Sequence, residues 1–291
     1  MRASLLSPSA AISTGLATIL ASIVFTAGTT PSDAAAGLSL SLPAGQPVPP
    51  IIFVHGYKAA ASPGVDLPVL PKVLMQTAAA EGREVIPVGY YVKDTNGPSI
   101  QKSGKAGATF STGKQNGGNT NGTDIRHLAY QLAWWIYDNY SSKGLPVDLV
   151  GHSLGGLITR SMLFGLNTDK SYPPTLLVED SVTVSTPHLG LAVTTTTGIG
   201  CAASATLQCT QLGNGSSYIK ELKAKGRGPQ GTGGTDWTAI GASTGDVASA
   251  AVITDMGANH VVVVAKSAHT DYFKVPSSIE LILAAIRSSA A

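Results

Sequence analysis

Charged residues are scarce in this chain. Asp, Glu, Lys and Arg make up 12% of its 291 residues, about half the level usual for a soluble domain. The few present nearly cancel, leaving a formal net charge of +2, so nothing in the charge argues for nucleic acid or an acidic partner. Ser, Thr, Gly and Asn must then cover much of the surface, which suits an extracellular protein that meets apolar or aggregated material. Cysteine is almost absent. Cys201 and Cys209 are the two present, and nothing near them resembles a zinc cluster. In an oxidising compartment the pair reads as a disulfide, contributing on the order of 2–3 kcal/mol by loop closure; two free buried thiols are the alternative. A candidate hydrophobic segment lies near the N-terminus. Residues 10–28 are mainly apolar or small but carry Ser13, Thr14, Gly15, Thr18, Ser22 and Thr26, which is weak for a membrane span. Arg2 is the only charge before Asp33, and Ala34-Ala35-Ala36 offers a small-residue cleavage site. Residues 1–36 therefore read as a secretory signal, with a retained anchor as the alternative. The remaining 37–291 suffice for one large α/β domain. No internal repeat and no second domain can be found.

What is present is concentrated between Val147 and Gly156. A short apolar run, then Gly151-His152-Ser153-Leu154-Gly155, then the stripe Leu157, Ile158, Met162, Leu163, Leu166 reads as strand, sharp turn and helix. Such a turn exposes the serine hydroxyl at its apex. It strains the serine backbone, and a Cβ two positions to either side would collide with neighbouring chain, which Gly151 and Gly155 avoid. The nucleophile then stands at a helix N-terminus, where backbone N–H groups favour negative charge. Composition alone yields roughly 0.4 chance matches to Gly-x-Ser-x-Gly in a chain of this size. A second match does occur at Gly241-Ala242-Ser243-Thr244-Gly245, but a poorer helical stripe follows it. Ser153 is favoured.

Around this turn, buried strands alternate with helices, as in an α/β fold with a mostly parallel sheet and helices on both faces. Strands are expected at Ile51–Val54, Glu84–Val92, the run before Ser153, Ser181–Ser185, Trp237–Gly241 and Val261–Ala265. Helices are expected at Asp66–Ala80, after Thr123 or Asp124 as cap, after Ser153, and at Ser277–Arg287. Two stretches break the rhythm: polar Lys93–Gly122, and Leu191–Thr235, which holds both cysteines, many glycines and a short helix near Tyr218–Lys223.

A serine hydroxyl needs a base, and the base an orienting carboxylate. After such a turn the chain order is serine, acid, histidine. The base is then His188, His260 or His269. Catalytic groups of open α/β sheets gather beyond the carboxyl ends of the strands, which favours His269 over His260 at the opposite end and over His188, whose approach Pro187 restricts. The same rule points to Asp246 as the acid, with Asp255 second, and sets aside Glu179 and Asp180. The oxyanion formed on attack needs two preorganised donors. These are expected to be the N–H of Leu154 and that of Tyr57, in the loop Phe53-Val54-His55-Gly56-Tyr57; a plain turn at His55-Gly56 is the alternative. His152 and His127 read as structural.

Val54-His55-Gly56-Tyr57, Gly151-His152-Ser153-Leu154-Gly155-Gly156, Ser185-Thr186-Pro187-His188-Leu189-Gly190 and Asp246 through His269 together resemble the bacterial secreted lipases and esterases of the α/β-hydrolase superfamily. The end of the chain is similar to small, nearly lidless Bacillus lipases, and the Thr-Pro-His-x-Gly segment to the larger Pseudomonas and Burkholderia type. The resemblance covers most of residues 50–285. It implies an α/β-hydrolase fold with Ser153 as nucleophile, Asp246 as acid, His269 as base, and Tyr57 and Leu154 in the oxyanion hole. It also implies a lid at 191–235, poor here in large apolar residues, and a structural calcium for which no aspartate pair stands out. The expectation is a secreted, monomeric serine carboxylic-ester hydrolase acting on an ester or lipid, without cofactor, nucleic acid or stable membrane insertion. An acyltransferase, amidase, polyester depolymerase or catalytically silent binding protein of the same fold are the alternatives. A dehalogenase would need a carboxylate at position 153.

Overall fold

Six parallel strands form one sheet in the order β2-β1-β3-β4-β5-β6: β1 Ile51–Val54, β2 Val85–Val88, β3 Val147–His152, β4 Val178–Val184, β5 Asp236–Thr244 and β6 His260–Lys266. The computed structural model describes residues 48–57, 71–95, 97–104, 118–192, 201, 206–226, 228–248, 253 and 256–287. The expected signal 1–36, the first part of the helix expected from Asp66, and Asp255 lie outside the described residues. Helices among the described residues are α1 Lys72–Ala80, α2 Ile125–Asn139, α3 Leu154–Thr168, α4 Leu207–Leu212, α5 Ser217–Ala224 and α6 Pro276–Arg287.

Alternation along β1 shows why both faces of the sheet must be covered. Ile52 and Val54 join a core with Leu128, Leu132, Leu157 and Ile158 of α2 and α3, while Ile51 and Phe53 join one with Leu74 of α1 and Ile279, Ile282 and Leu283 of α6. A strand apolar at every position is stable only between two helical layers. The α2 helix starts where Asp124 accepts a hydrogen bond from the Arg126 N–H, which satisfies one of the orphan donors of its first turn. β6 is an edge strand, and its Val261 and Val263 are 42% and 45% exposed.

The described residues of the stretch Leu191–Thr235 include two helices, α4 and α5. α4 escaped the sequence reading because it buries glutamines. The Gln208 side chain donates to the carbonyls of Thr120 and Thr123 and accepts from the Tyr91 hydroxyl, and Gln211 accepts from the Ile125 N–H. In α5, Tyr218, Ile219 and Leu222 enter the main core. Cys201 and Cys209 form a disulfide. Residues 193–200, 202–205 and 227 of the expected lid lie outside the described residues.

One ion pair is buried inside this frame. Arg83 donates to Asp148 at 2.5 Å, with both side chains at 5% exposure or less. Burial pushes the Asp148 carboxyl up, against the pull of the Arg83 charge. Removing one partner of a buried pair leaves an uncompensated charge, which costs more than the pair itself contributes. Arg83→Met is therefore expected to lower the unfolding free energy in urea by about 3–5 kcal/mol, and the added change Asp148→Leu to recover most of it. Equal stability of wild type and Arg83→Met would show that Asp148 needs no counter-charge.

Candidate active site

The sheet places its chemistry at one rim. β1 is flanked by β2 on one side and β3 on the other, so the strand order reverses between β1 and β3, and it is beyond the carboxyl ends at such a switch point that open α/β sheets bind ligands. Ser153 follows the last residue of β3 and precedes the first of α3. Its backbone holds φ 52° and ψ −120°, a region costing a non-glycine residue on the order of 1–3 kcal/mol. A Cβ at Gly155 would lie 2.0 Å from the Val54 carbonyl oxygen, and one at Gly151 would lie 2.6 Å from the Gly156 Cα. Both obstacles are backbone, so the turn tolerates only glycine at these positions.

His269 follows β6 and Asp246 follows β5, and the structure brings both to Ser153. His269 Nδ1 lies 2.8 Å from Asp246 Oδ1 and His269 Nε2 lies 2.9 Å from Ser153 Oγ. A carboxylate can only accept, so Nδ1 carries the hydrogen and Nε2 is left to accept from the serine hydroxyl. The Asp246 side chain is fully buried, whereas that of His269 is 19% exposed. Burial pushes the Asp246 carboxyl up, but hydrogen bonds from His269, Ser185 and Tyr272 outweigh it and hold the carboxyl below the usual range. Burial and the neighbouring carboxylate push the Tyr272 phenol up, so it stays a neutral donor to Asp246 Oδ2 at 2.6 Å.

The other candidate residues are elsewhere. His188 is fully buried, with Nε2 3.1 Å from Thr183 Oγ1. His260 pairs with Asp236 at the opposite rim, and His127 lies on α2. Ser243 sits inside β5, its hydroxyl donating to the Val264 carbonyl. The second Gly-x-Ser-x-Gly is thus part of a strand and forms no strand-to-helix turn.

The first residue of α3 is Leu154, which puts its N–H in the unpaired first turn of that helix. In the loop after β1, the carbonyls of His55 and Gly56 accept from the Tyr90 hydroxyl at 2.9 and 2.8 Å. The Gly56 carbonyl belongs to the same planar trans peptide as the Tyr57 N–H, so fixing one fixes the direction of the other. His55 stacks on Tyr90 and donates through Nε2 to Asp94, which also accepts from the N–H groups of Tyr90 and Tyr91. The Tyr57 hydroxyl rests 3.2 Å from the Cys209 sulfur, which ties this loop to α4. Sequence reading gave no role to Tyr90, Asp94, Ser185 and Tyr272, whose partners at this rim, Gly56, His55 and Asp246, are distant in sequence. Among the described residues no group of three or more His, Cys, Asp or Glu side chains converges where it could hold a metal ion. Nor, among the described residues, is any helix long and apolar enough to cross a membrane.

This fold and rim define an α/β-hydrolase, and its class is that of the serine hydrolases. Residues 51–221 match the model of the family described as "Putative serine esterase (DUF676)", and the chain belongs to that family. The match ends before Asp246 and His269, whose placement is known here from geometry alone. No curated protein matches the chain. Among solved structures, the mature form of Bacillus licheniformis lipase BlEst2 is similar with a TM-score of 0.52 and 15% identity, over 84% of this chain and 95% of that one. Its propeptide form gives the same TM-score and identity over 84% of this chain and 51% of that one. An α/β hydrolase, MGS-MChE2, from a lagoon-sediment metagenome matches at 0.47 and 15%, over 81% and 89%. At 15% identity the likeness to the two lipase structures shows the fold alone.

One buried histidine gives the site a pH signature. His152 donates through Nε2 to the His269 carbonyl at 2.8 Å, and burial, then the nearby His269, push it down to about 3. The unfolded chain binds a proton at this residue near pH 6.5 and the folded one does not until about 3. Its contribution to stability is therefore complete above about pH 6.5 and is lost as pH falls toward 3, at about 1.4 kcal/mol per pH unit. His152→Gln is expected to reduce by about that amount the slope of unfolding free energy between pH 6 and pH 4, measured in urea. An unaltered slope would show that the ring takes up its proton without unfolding.

Proposed function

We propose that the chain is a secreted, monomeric serine carboxylic-ester hydrolase of lipase type, working through an acyl-enzyme on Ser153. The observation that carries this is the continuous relay from the Ser153 hydroxyl through His269 to Asp246, at 2.9 and 2.8 Å, on a strained turn at a helix N-terminus. His269 Nε2 takes the hydroxyl proton as Oγ attacks the ester carbonyl. The N–H groups of Leu154 and Tyr57 stabilise the oxyanion, each donor contributing about 3 kcal/mol to the transition state. The tetrahedral intermediate then collapses, and the leaving alcohol takes the proton from His269. Water enters, loses a proton to the same nitrogen, attacks the acyl carbonyl, and releases the acid and Ser153. Asp246 stays ionised throughout, holding the imidazole and balancing its charge. Family membership supports ester chemistry, and the Cys201–Cys209 disulfide supports an oxidising compartment.

Hydrolysis of short p-nitrophenyl esters tests the assignment. Ser153→Ala is expected to lower kcat by about 10⁵-fold or more, while Ser243→Ala retains wild-type rates. Retained hydrolysis in Ser153→Ala with loss in Ser243→Ala would move the nucleophile to the other serine. Loss in neither, or no hydrolysis by the wild type, would reject the proposal.

A further inference from the structure

Two residues other than glycine have positive φ among those described, Ser153 and Ser185, both at 52°. The first is the nucleophile. The second follows β4 in the segment Ser185-Thr186-Pro187-His188, is fully buried, and donates its N–H to the Ile240 carbonyl at 2.7 Å. A left-handed turn required only for chain direction is met at no strain by glycine. Serine adds one thing there, a hydroxyl, and that hydroxyl faces both partners of the nucleophile. It donates to Asp246 Oδ2 at 2.6 Å and lies 2.7 Å from His269 Nδ1.

The hydrogen count assigns its role. Asp246 only accepts, so the Ser185 proton points to Oδ2. A lone pair of Ser185 Oγ then faces the Nδ1 hydrogen, which it shares with Asp246 Oδ1. Imidazole, carboxylate and hydroxyl form a closed ring of hydrogen bonds. On the proposed serine-hydrolase reading, on which this inference rests, we infer that Ser185 is a positioning residue: it locks the rotation of the Asp246 carboxylate and keeps the His269 ring in the tautomer that leaves Nε2 free to accept from Ser153. The ring of bonds is complete before reaction and persists when His269 becomes imidazolium, so no group has to reorient as charge develops.

The test uses the whole protein with Ser185→Ala, Ser185→Gly and Ser153→Ala, p-nitrophenyl butyrate as substrate, and the downfield proton resonance of His269 Nδ1–H. Ser185→Ala keeps the strain and Ser185→Gly relieves it, and both lack the hydroxyl. Both are expected to lose about ten- to a hundredfold in kcat with KM within about twofold, and in both the Nδ1 proton resonance shifts or broadens through faster exchange with water. Should Ser185→Ala fail to fold, the unstrained Ser185→Gly carries the same measurement. Wild-type kcat and an unmoved resonance in Ser185→Gly would reduce Ser185 to a turn residue and overturn the inference. A loss confined to KM would do the same. Full activity in Ser153→Ala would instead reject the underlying reading, whatever the Ser185 variants show.

Discussion

The backbone of Ser153 cannot relax without dismantling the rim of the sheet. Its φ of 52° is held on one side by β3, four of whose residues pair with β4 in register, and on the other by α3, buried through Gly165. Packing of those two elements outweighs the local strain, on the order of 1–3 kcal/mol. The helix comes so close that the Val54 and His55 carbonyls lie within 2.0 and 2.6 Å of where a Gly155 Cβ would be. That approach brings the end of β1 against the start of α3, and with it the Tyr57 loop against Ser153.

Convergence at the rim follows from parallel strands. Each parallel strand ends on the same side, so the residues after β1, β3, β4, β5 and β6 are neighbours although they span positions 55 to 269. Tyr57, Ser153, Ser185, Asp246 and His269 are one from each. The carboxylate illustrates the result. Buried and fully shielded, Asp246 would resist ionisation, yet it collects hydrogen bonds from His269, Ser185, Tyr272 and the Ala248 N–H. These hold it charged where the imidazole needs a counter-ion.

Much of this was legible in the chain. The apolar runs at 51–54 and 147–150 and the stripe from Leu157 mark elements whose hydrophobic period is strong, and the Gly-x-Ser-x-Gly spacing marks a turn that sterics allow in few ways. The chain order serine, acid, histidine and the rule that catalytic groups follow strand ends pointed to Asp246 and His269, which lie together beside Ser153. What stayed hidden depends on pairs distant in sequence. Ser185 and Asp246 are joined only because β4 and β5 are adjacent. Tyr90 matters only because its hydroxyl reaches the Gly56 carbonyl. α4 hides because its buried side chains are glutamines satisfied by backbone carbonyls, which no hydrophobic period can announce. The Val261–Val264 run looks like interior strand but forms the sheet edge, since periodicity reports apolar side chains and not which neighbours cover them.

The most direct measurement is the site of covalent trapping. The folded protein would be treated with a fluorophosphonate, digested and mapped by mass spectrometry, with acid-unfolded protein as control. A reactive hydroxyl at the Ser153 turn requires one stoichiometric phosphonyl adduct, on Ser153, in the folded protein and none in the unfolded chain. An adduct on Ser243, or no adduct on folded protein, would contradict it.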